Sequence, residues 1–307
     1  MNFLVRIIKD IIEFLMNSSY MILNIYTYFI FVGLYCIDSK EFKSIEVIVY
    51  FVIYHIMLGL SLIMYLRVQS IEDLSTKDVF PPIRKESENN LELENINPFF
   101  AAEIEAKKTN NLRVCDSCDT FKPPRSHHCS VCNRCYLKYD HHCDIFGSCI
   151  FFQKYKFFYQ FLVYNLILTL FIIAVYILEI AKGPYRKLFL INYIINIALL
   201  SVMMVYNLIM LIFHTFLILN NETTVEFYAI NRYLIGDNTF NKVFQEGPIT
   251  TRTSFRDRRV LNPYNLGWFK NWTEVFGENI FDWFLPTYST KGDGITYSKN
   301  TTEGYSI

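Results

Sequence analysis

Seven of the chain's eight cysteines and four of its six histidines fall between Cys115 and Cys149. Their spacing is C-x2-C-x9-H-C-x2-C-x2-C-x4-D-H-H-C-x5-C. Zinc favours four tetrahedral Cys and His ligands, and a CxxC pair lets one tight turn aim two thiolates at a single ion. Two Cys3His sites would consume six cysteines and two histidines, leaving one cysteine and two histidines unused. Spacing alone does not say which ones remain. The local order points to Cys143, because it directly follows Asp140, His141 and His142. One imidazole can face a metal and the other the thiol, with Asp140 fixing the tautomer of the second, as in nucleophilic triads. The competing reading is a purely structural or partner-binding zinc module.

Something must hold that chemistry in place, and the rest of the chain is rich in material for membrane helices. Hydrophobic residues make up 52% of the 307 and aromatic residues 17%, high for a soluble domain. Apolar runs near 20–37, 45–66, 157–181 and 188–220 each approach or exceed the ~20 residues that a helix needs to cross a bilayer. The first pair is joined by "DSKEFKS" and the second by "KGPYRK", so both read as transmembrane hairpins. At the N-terminus, Ile7, Ile8, Ile11, Ile12 and Leu15 share one helical face among charged residues, which predicts a helix lying along the membrane interface. His55, Asn165, Asn196, Asn207 and His214 within the spans read as neutral, interhelical hydrogen-bonding groups.

The fold class expected is an all-α membrane protein of four transmembrane helices with a zinc-bound cysteine-rich domain between helices 2 and 3. The expected boundaries are 1–66 for the interfacial helix and first hairpin, 67–110 for a linker, 111–156 for the zinc domain, 157–220 for the second hairpin, and 221–307 for a C-terminal region ending in a disordered tail. Four crossings put both termini and the zinc domain on one side. The Lys and Arg content of the loops, together with reduced thiols, makes that side cytosolic. A formal net charge of zero gives no support to nucleic-acid binding.

The "KPPRSHHCSVCNRC" and "DHHC" blocks resemble the DHHC protein S-acyltransferases, or palmitoyltransferases. So do "TTVE" (Thr223 to Glu226) after the last span and "NPYNLGWFKNWTEVFG" further on, where Asn271 matches an Asn of the family's C-terminal motif. The resemblance implies one zinc on Cys115, Cys118, His128 and Cys135, and a second on Cys129, Cys132, His142 and Cys149. It also implies Cys143 as the acyl-accepting nucleophile, His141 as general base and Asp140 as its orienting partner. Acyl-CoA is the implied co-substrate, and Lys122, Arg125 and His127 are candidates for its phosphates, as is the tail cluster Arg252, Arg256, Arg258 and Arg259. The protein partners would be cytosolic or membrane-associated substrates with accessible cysteines, and the setting would be an endomembrane (ER or Golgi) or the plasma membrane. Independently of the resemblance, Thr223 and Glu226 form an S/T-x-x-E capping box.

Two departures from the family pattern stand out. Asp144, Ile145, Phe146, Gly147 and Ser148 replace the usual Pro-Trp and Asn after the DHHC block, and "DVFPP" replaces an Asp-Pro-Gly after the second span. The missing tryptophan bears on how an acyl chain would be gripped beside the thiol. A catalytically silent, membrane-anchored zinc-binding adaptor is the alternative from another functional class.

Overall fold

A computed structural model of the chain describes residues 3–37, 44–80, 113–183, 186–235 and 261–300. Among the described residues, four helices are long and apolar enough to cross a bilayer: Asn17–Ile37, Ile45–Ser70, Tyr155–Lys182 and Lys187–Asn220. These lie within a few residues of the runs read from sequence. The chain is a multi-pass membrane protein, with its Cys/His cluster between the second and third spans.

The first span is the end of a longer helix, α1 (Phe3–Tyr28), which continues as π-type turns over Phe29–Ile37. No break sets off the N-terminal turns expected to lie apart in the interface. The sequence there offers no Pro or Gly to stop a helix. Helix α2 (Ile45–Ser70) starts where Ser44 Oγ accepts the Val47 N–H at 3.2 Å, with Glu46 in its first turn. The second hairpin is α4 (Tyr155–Lys182) and α5 (Lys187–Asn220). Between the hairpins, a single-turn helix α3 (Thr76–Val79) is closed by a Ser75–Asp78 capping box. Past the spans come α6 (Thr224–Leu234), α7 (Trp268–Phe276) and a 3-10 turn at Ile280–Trp283.

By packing, the chain forms two compact units. One comprises Met1–Ser70, Cys143–Ser148 and Phe157–His214; the other comprises Ile71–His142, Cys149–Lys156 and Thr215–Ile307. The core of the first is aromatic, with Phe31 stacked on Tyr54 at 4.3 Å and Tyr176 on Tyr193 at 4.8 Å. Asn196 Nδ2 donates to Thr27 Oγ1 at 3.2 Å, and Asn207 Nδ2 to the Leu162 carbonyl at 3.0 Å. Both bonds run between helices, the use expected of amides inside spans.

Regular structure around the Cys/His cluster consists of three short hairpins: β1 (Val114–Cys115) with β2 (Thr120–Phe121), β3 (His127–Cys129) with β4 (Arg134–Tyr136), and β5 (His141–Cys143) with β6 (Ser148–Ile150). The expected linker is ordered where it is described, and so are residues 261–300 of the tail that was expected to lack order. Ile71–Phe80, in the expected linker, carries Asp73 to Lys154 Nζ at 2.5 Å and sets Thr76 Oγ1 2.9 Å from Thr120 Oγ1. Residues 261–300 of the tail are folded, with Ile295 buried against Leu137, Phe151 and Phe152, where it supplies apolar burial that the small cluster lacks.

Candidate active site and metal centres

The three hairpins are copies of one design at a spacing of 14 residues. Cys115, Cys129 and Cys143 occupy one position; Cys118, Cys132 and Phe146 occupy the position three residues on. The next residue is left-handed in every copy, with φ of 53° at Asp119, 53° at Asn133 and 57° at Gly147. Asn, Asp and Gly are the residues that tolerate this conformation, and it turns each strand back on its neighbour. In the first and third copies the N–H at the +3 position donates to the leading cysteine's carbonyl, Cys118 to Cys115 and Phe146 to Cys143, each at 3.1 Å.

This repeat explains how the ligands partition. Each metal-binding group takes the CxxC pair of one hairpin and a His and a Cys from the next, giving Cys115, Cys118, His128, Cys135 and then Cys129, Cys132, His142, Cys149. Pairing of His128 with Cys135 across β3 and β4 delivers two ligands of the first group side by side. Cys143 belongs to neither group. It leads the third hairpin, Phe146 stands where its partner cysteine would be, and no fourth hairpin follows among the described residues.

Both groups fit a tetrahedral thiophilic ion. In a zinc tetrahedron with bonds of about 2.3 Å to sulfur and 2.0–2.1 Å to nitrogen, sulfur and nitrogen lie about 3.6 Å apart. His128 Nδ1 stands 3.6, 3.4 and 3.7 Å from the sulfurs of Cys115, Cys118 and Cys135. His142 Nδ1 stands 3.9, 3.4 and 3.6 Å from those of Cys129, Cys132 and Cys149. None of these cysteines is in a disulfide.

Beside the second group, buried Asp140 is held from three directions. Its N–H donates to the Ile150 carbonyl at 2.9 Å. Its Oδ1 accepts the Thr224 N–H at 2.9 Å, and its Oδ2 accepts Thr224 Oγ1 at 2.8 Å and His141 Nδ1 at 2.6 Å. A carboxylate can only accept, so the His141 proton sits on Nδ1 and Nε2 is left as the basic nitrogen. Sequence reading named Thr223 and Glu226 but passed over Thr224; its position at the start of a capped helix was the available signal. The capping box itself is present, with Thr223 Oγ1 accepting the Glu226 N–H at 3.2 Å and Glu226 Oε2 accepting the Thr223 N–H at 2.8 Å.

Glu226 does more than cap. Arg125 Nε and Nη2 grip its two carboxylate oxygens at 2.8 and 2.7 Å, while Nη1 and Nη2 donate to Asn221 Oδ1 and O, each at 2.9 Å. The guanidinium is stacked over Tyr264 at 4.4 Å and Tyr297 at 5.1 Å, and is fully buried. With those donors committed inside the protein, Arg125 does not fit the phosphate contact expected of it. His127 does not fit either: burial, with Arg113 beside it, pushes the imidazole down to about 4, so it is uncharged at neutral pH. Of the three residues, Lys122 alone is not committed in this way, and the four tail arginines lie outside the described residues.

Asn221, which sequence reading did not single out, joins these parts. Held at φ 50°, it accepts from Arg125 and from Lys138 Nζ (3.2 Å) and donates to the Tyr264 carbonyl and to Glu274 Oε2. Burial, with Arg125 close by, pushes Lys138 down to about 7. Burial alone would raise the Glu226 carboxyl, but Arg125 and the Thr223 N–H hold it below the usual carboxylate range. A depressed carboxylate contributes stability that is complete above its unfolded value and lost as pH falls through its folded one. Glu226→Ala leaves a buried, unpaired guanidinium and is expected to cost about 3–5 kcal/mol, whereas a paired Arg125→Met, Glu226→Met variant should recover much of it. Thermal unfolding in detergent, metal-loaded, checks both.

In the first unit, Cys143 opens on an apolar cavity lined by Tyr20, Phe146, Phe158, Leu162, Met203 and Met210, among others. Phe146 is stacked on Tyr65 at 5.1 Å and meets Phe161 edge-on at 5.0 Å. Tyr65 Oη and Gln69 Nε2 donate to the Ile145 and Phe146 carbonyls, each at 3.4 Å. An aromatic side chain therefore lines the cavity beside the thiol although the usual tryptophan is missing. Phe146 supplies it, one residue later in the chain.

Fold and site together define a multi-pass membrane protein with two thiolate-rich metal-binding groups and Cys143 held outside both, at the end of the same cluster. Comparison with known proteins agrees with that class. Residues 108–231 match the family model described as DHHC palmitoyltransferase. It is 33% identical over 186 residues to palmitoyltransferase PFA3 of Candida glabrata, covering 59% of this chain and 53% of that protein. Human palmitoyltransferase ZDHHC15 is 32% identical over 190 residues, covering 61% and 50%. The probable protein S-acyltransferase 16 of Arabidopsis thaliana is 30% identical over 200 residues, covering 62% and 63%. The aligned region spans about half the length of the first two of these relatives.

Proposed function

We propose that the chain is a protein S-acyltransferase that moves a long-chain acyl group from acyl-CoA to cysteine thiols of proteins through an acyl-enzyme on Cys143. The observation that carries this reading is that Cys143 stands outside both metal-binding groups and faces an apolar cavity among the spans. A free thiol next to space suited to methylenes suits a lipid thioester better than a structural role, since each buried CH2 contributes about 0.8 kcal/mol.

His141 lies two residues before Cys143 on β5, and the two-residue period of a strand turns both side chains to one face and His142 to the other. His141 Nε2 takes the thiol proton, with Asp140 holding the ring and stabilising its cationic form. The thiolate attacks the thioester carbonyl carbon; the bond from that carbon to the CoA sulfur breaks, and the CoA thiolate leaves with the proton from His141. A substrate cysteine then repeats the exchange, releasing Cys143 as a thiol and carrying away the acyl group. Lys122 is assigned to the CoA phosphates.

Both metal groups are assigned to zinc. With four protein ligands each they have no open position, so the ion's contribution is to fix the hairpins and not to activate substrate. The cluster and both termini are assigned to the cytosolic face of an endomembrane or the plasma membrane, where thiols stay reduced. The test is incubation of the purified protein with a fluorescent acyl-CoA. A hydroxylamine-sensitive label that passes to an added cysteine-bearing protein supports the transfer. A fully metallated protein that takes no label overturns it in favour of a silent adaptor.

A further inference from the structure

The C-terminal residues carry a second apolar surface that the spans do not account for. Trp268 (68% exposed), Phe269, Ile280, Phe281 (70%), Phe284 and Leu285 are all largely uncovered. The same segment is well packed on its other side, where Asn271, Thr273, Val275 and Phe276 are buried. So many large apolar side chains in so short a stretch are more than the scattered exposure of an ordinary surface.

Two tethers hold this segment at the ends of the spans. Asn271 Nδ2 donates to the Leu219 carbonyl at 2.7 Å, one residue before the end of α5. Lys156 Nζ, in the first turn of α4, donates to the Thr287 carbonyl at 2.6 Å and to Ser289 Oγ at 2.8 Å. Helices of 28 and 34 residues rise about 42 and 51 Å, longer than the ~30 Å hydrocarbon layer, so their ends reach the headgroup region. Composition agrees with that depth. The chain has three tryptophans, at 268, 272 and 283, and all fall in this segment. Amphipathic indoles are enriched at the membrane–water boundary.

We infer that Trp268–Leu285 is an interfacial membrane anchor, its exposed aromatic and aliphatic side chains seated among the headgroups and upper acyl carbons of the bilayer. This does not depend on transferase activity, only on the spans. Because every tryptophan lies in the segment, native fluorescence of the full-length, metal-loaded protein in nanodiscs reports on it directly. Phosphatidylcholine brominated near the ester end should quench the emission about twofold, and more than lipid brominated near the chain end, as expected for interfacial indoles. Trp268→Phe should remove the larger part of the quenchable signal, because Trp272 and Trp283 are more covered, while leaving hydroxylamine-sensitive labelling unchanged. Equal emission in brominated and plain lipid would overturn the inference. So would quenching that disappears when a substrate protein is added, which would make this face a protein-docking surface.

Discussion

Cys143→Ser is expected to lose acyl labelling altogether while keeping both metal equivalents and its thermal stability. Activity must vanish because a serine hydroxyl in that position lacks the nucleophilicity and low pKa of a thiol. Metal must stay because both ligand groups are complete without residue 143. The change of one buried atom among Phe146, Phe158 and Leu162 leaves packing almost intact. Elemental analysis and gel fluorescence on the same preparation decide it. A variant that loses one equivalent of metal would show that Cys143 is a ligand, and the role assigned to it would be wrong.

Exchanging the histidines separates structure from chemistry in the same way. His128→Ala and Cys118→Ala should each release metal and unfold the cluster, since binding free energy at such sites is folding free energy. His141→Ala should keep both equivalents and yet react about 10²–10⁴-fold more slowly, the loss typical of a general base. His141 and His142 are neighbours in sequence, so the contrast between them is demanding: one faces Asp140 at 2.6 Å and the other faces three thiols. Equal metal loss in the His128 and His141 variants would overturn the division of roles.

The spans were legible because hydrophobic burial in lipid is written into composition over some twenty consecutive residues, and no tertiary contact is needed to reveal it. The cluster was legible for a related reason, as thiols at CxxC spacing have few other uses. What escaped was set by contacts between distant parts of the chain. Nothing local marks Arg125 as the partner of Glu226, about a hundred residues away, so its charge was read as a phosphate contact. His127 looked cationic because burial is invisible in sequence. The tail was read as disordered because the burial of Ile295 against Phe152 depends on where the chain returns. Thr224 was hidden inside a motif whose capping function already explained two of its residues, and Asn221 stands two residues before that motif.

The repeat of hairpins has a consequence for how such a nucleophile arises. In a series where each ion is clamped by one unit and the next, the number of ions is one fewer than the number of units, and the terminal unit always has an unclaimed leading cysteine. On the proposed function, reactivity here is an end effect of a linear array, in the way that the last link of a chain has an open side. Extending the series by one more unit, with cysteine in place of Phe146 and a following hairpin that brings His and Cys, would turn the terminal position into an interior one. The thiol would become a ligand, a third ion would be bound, and the chemistry would stop without any change to Cys143 itself.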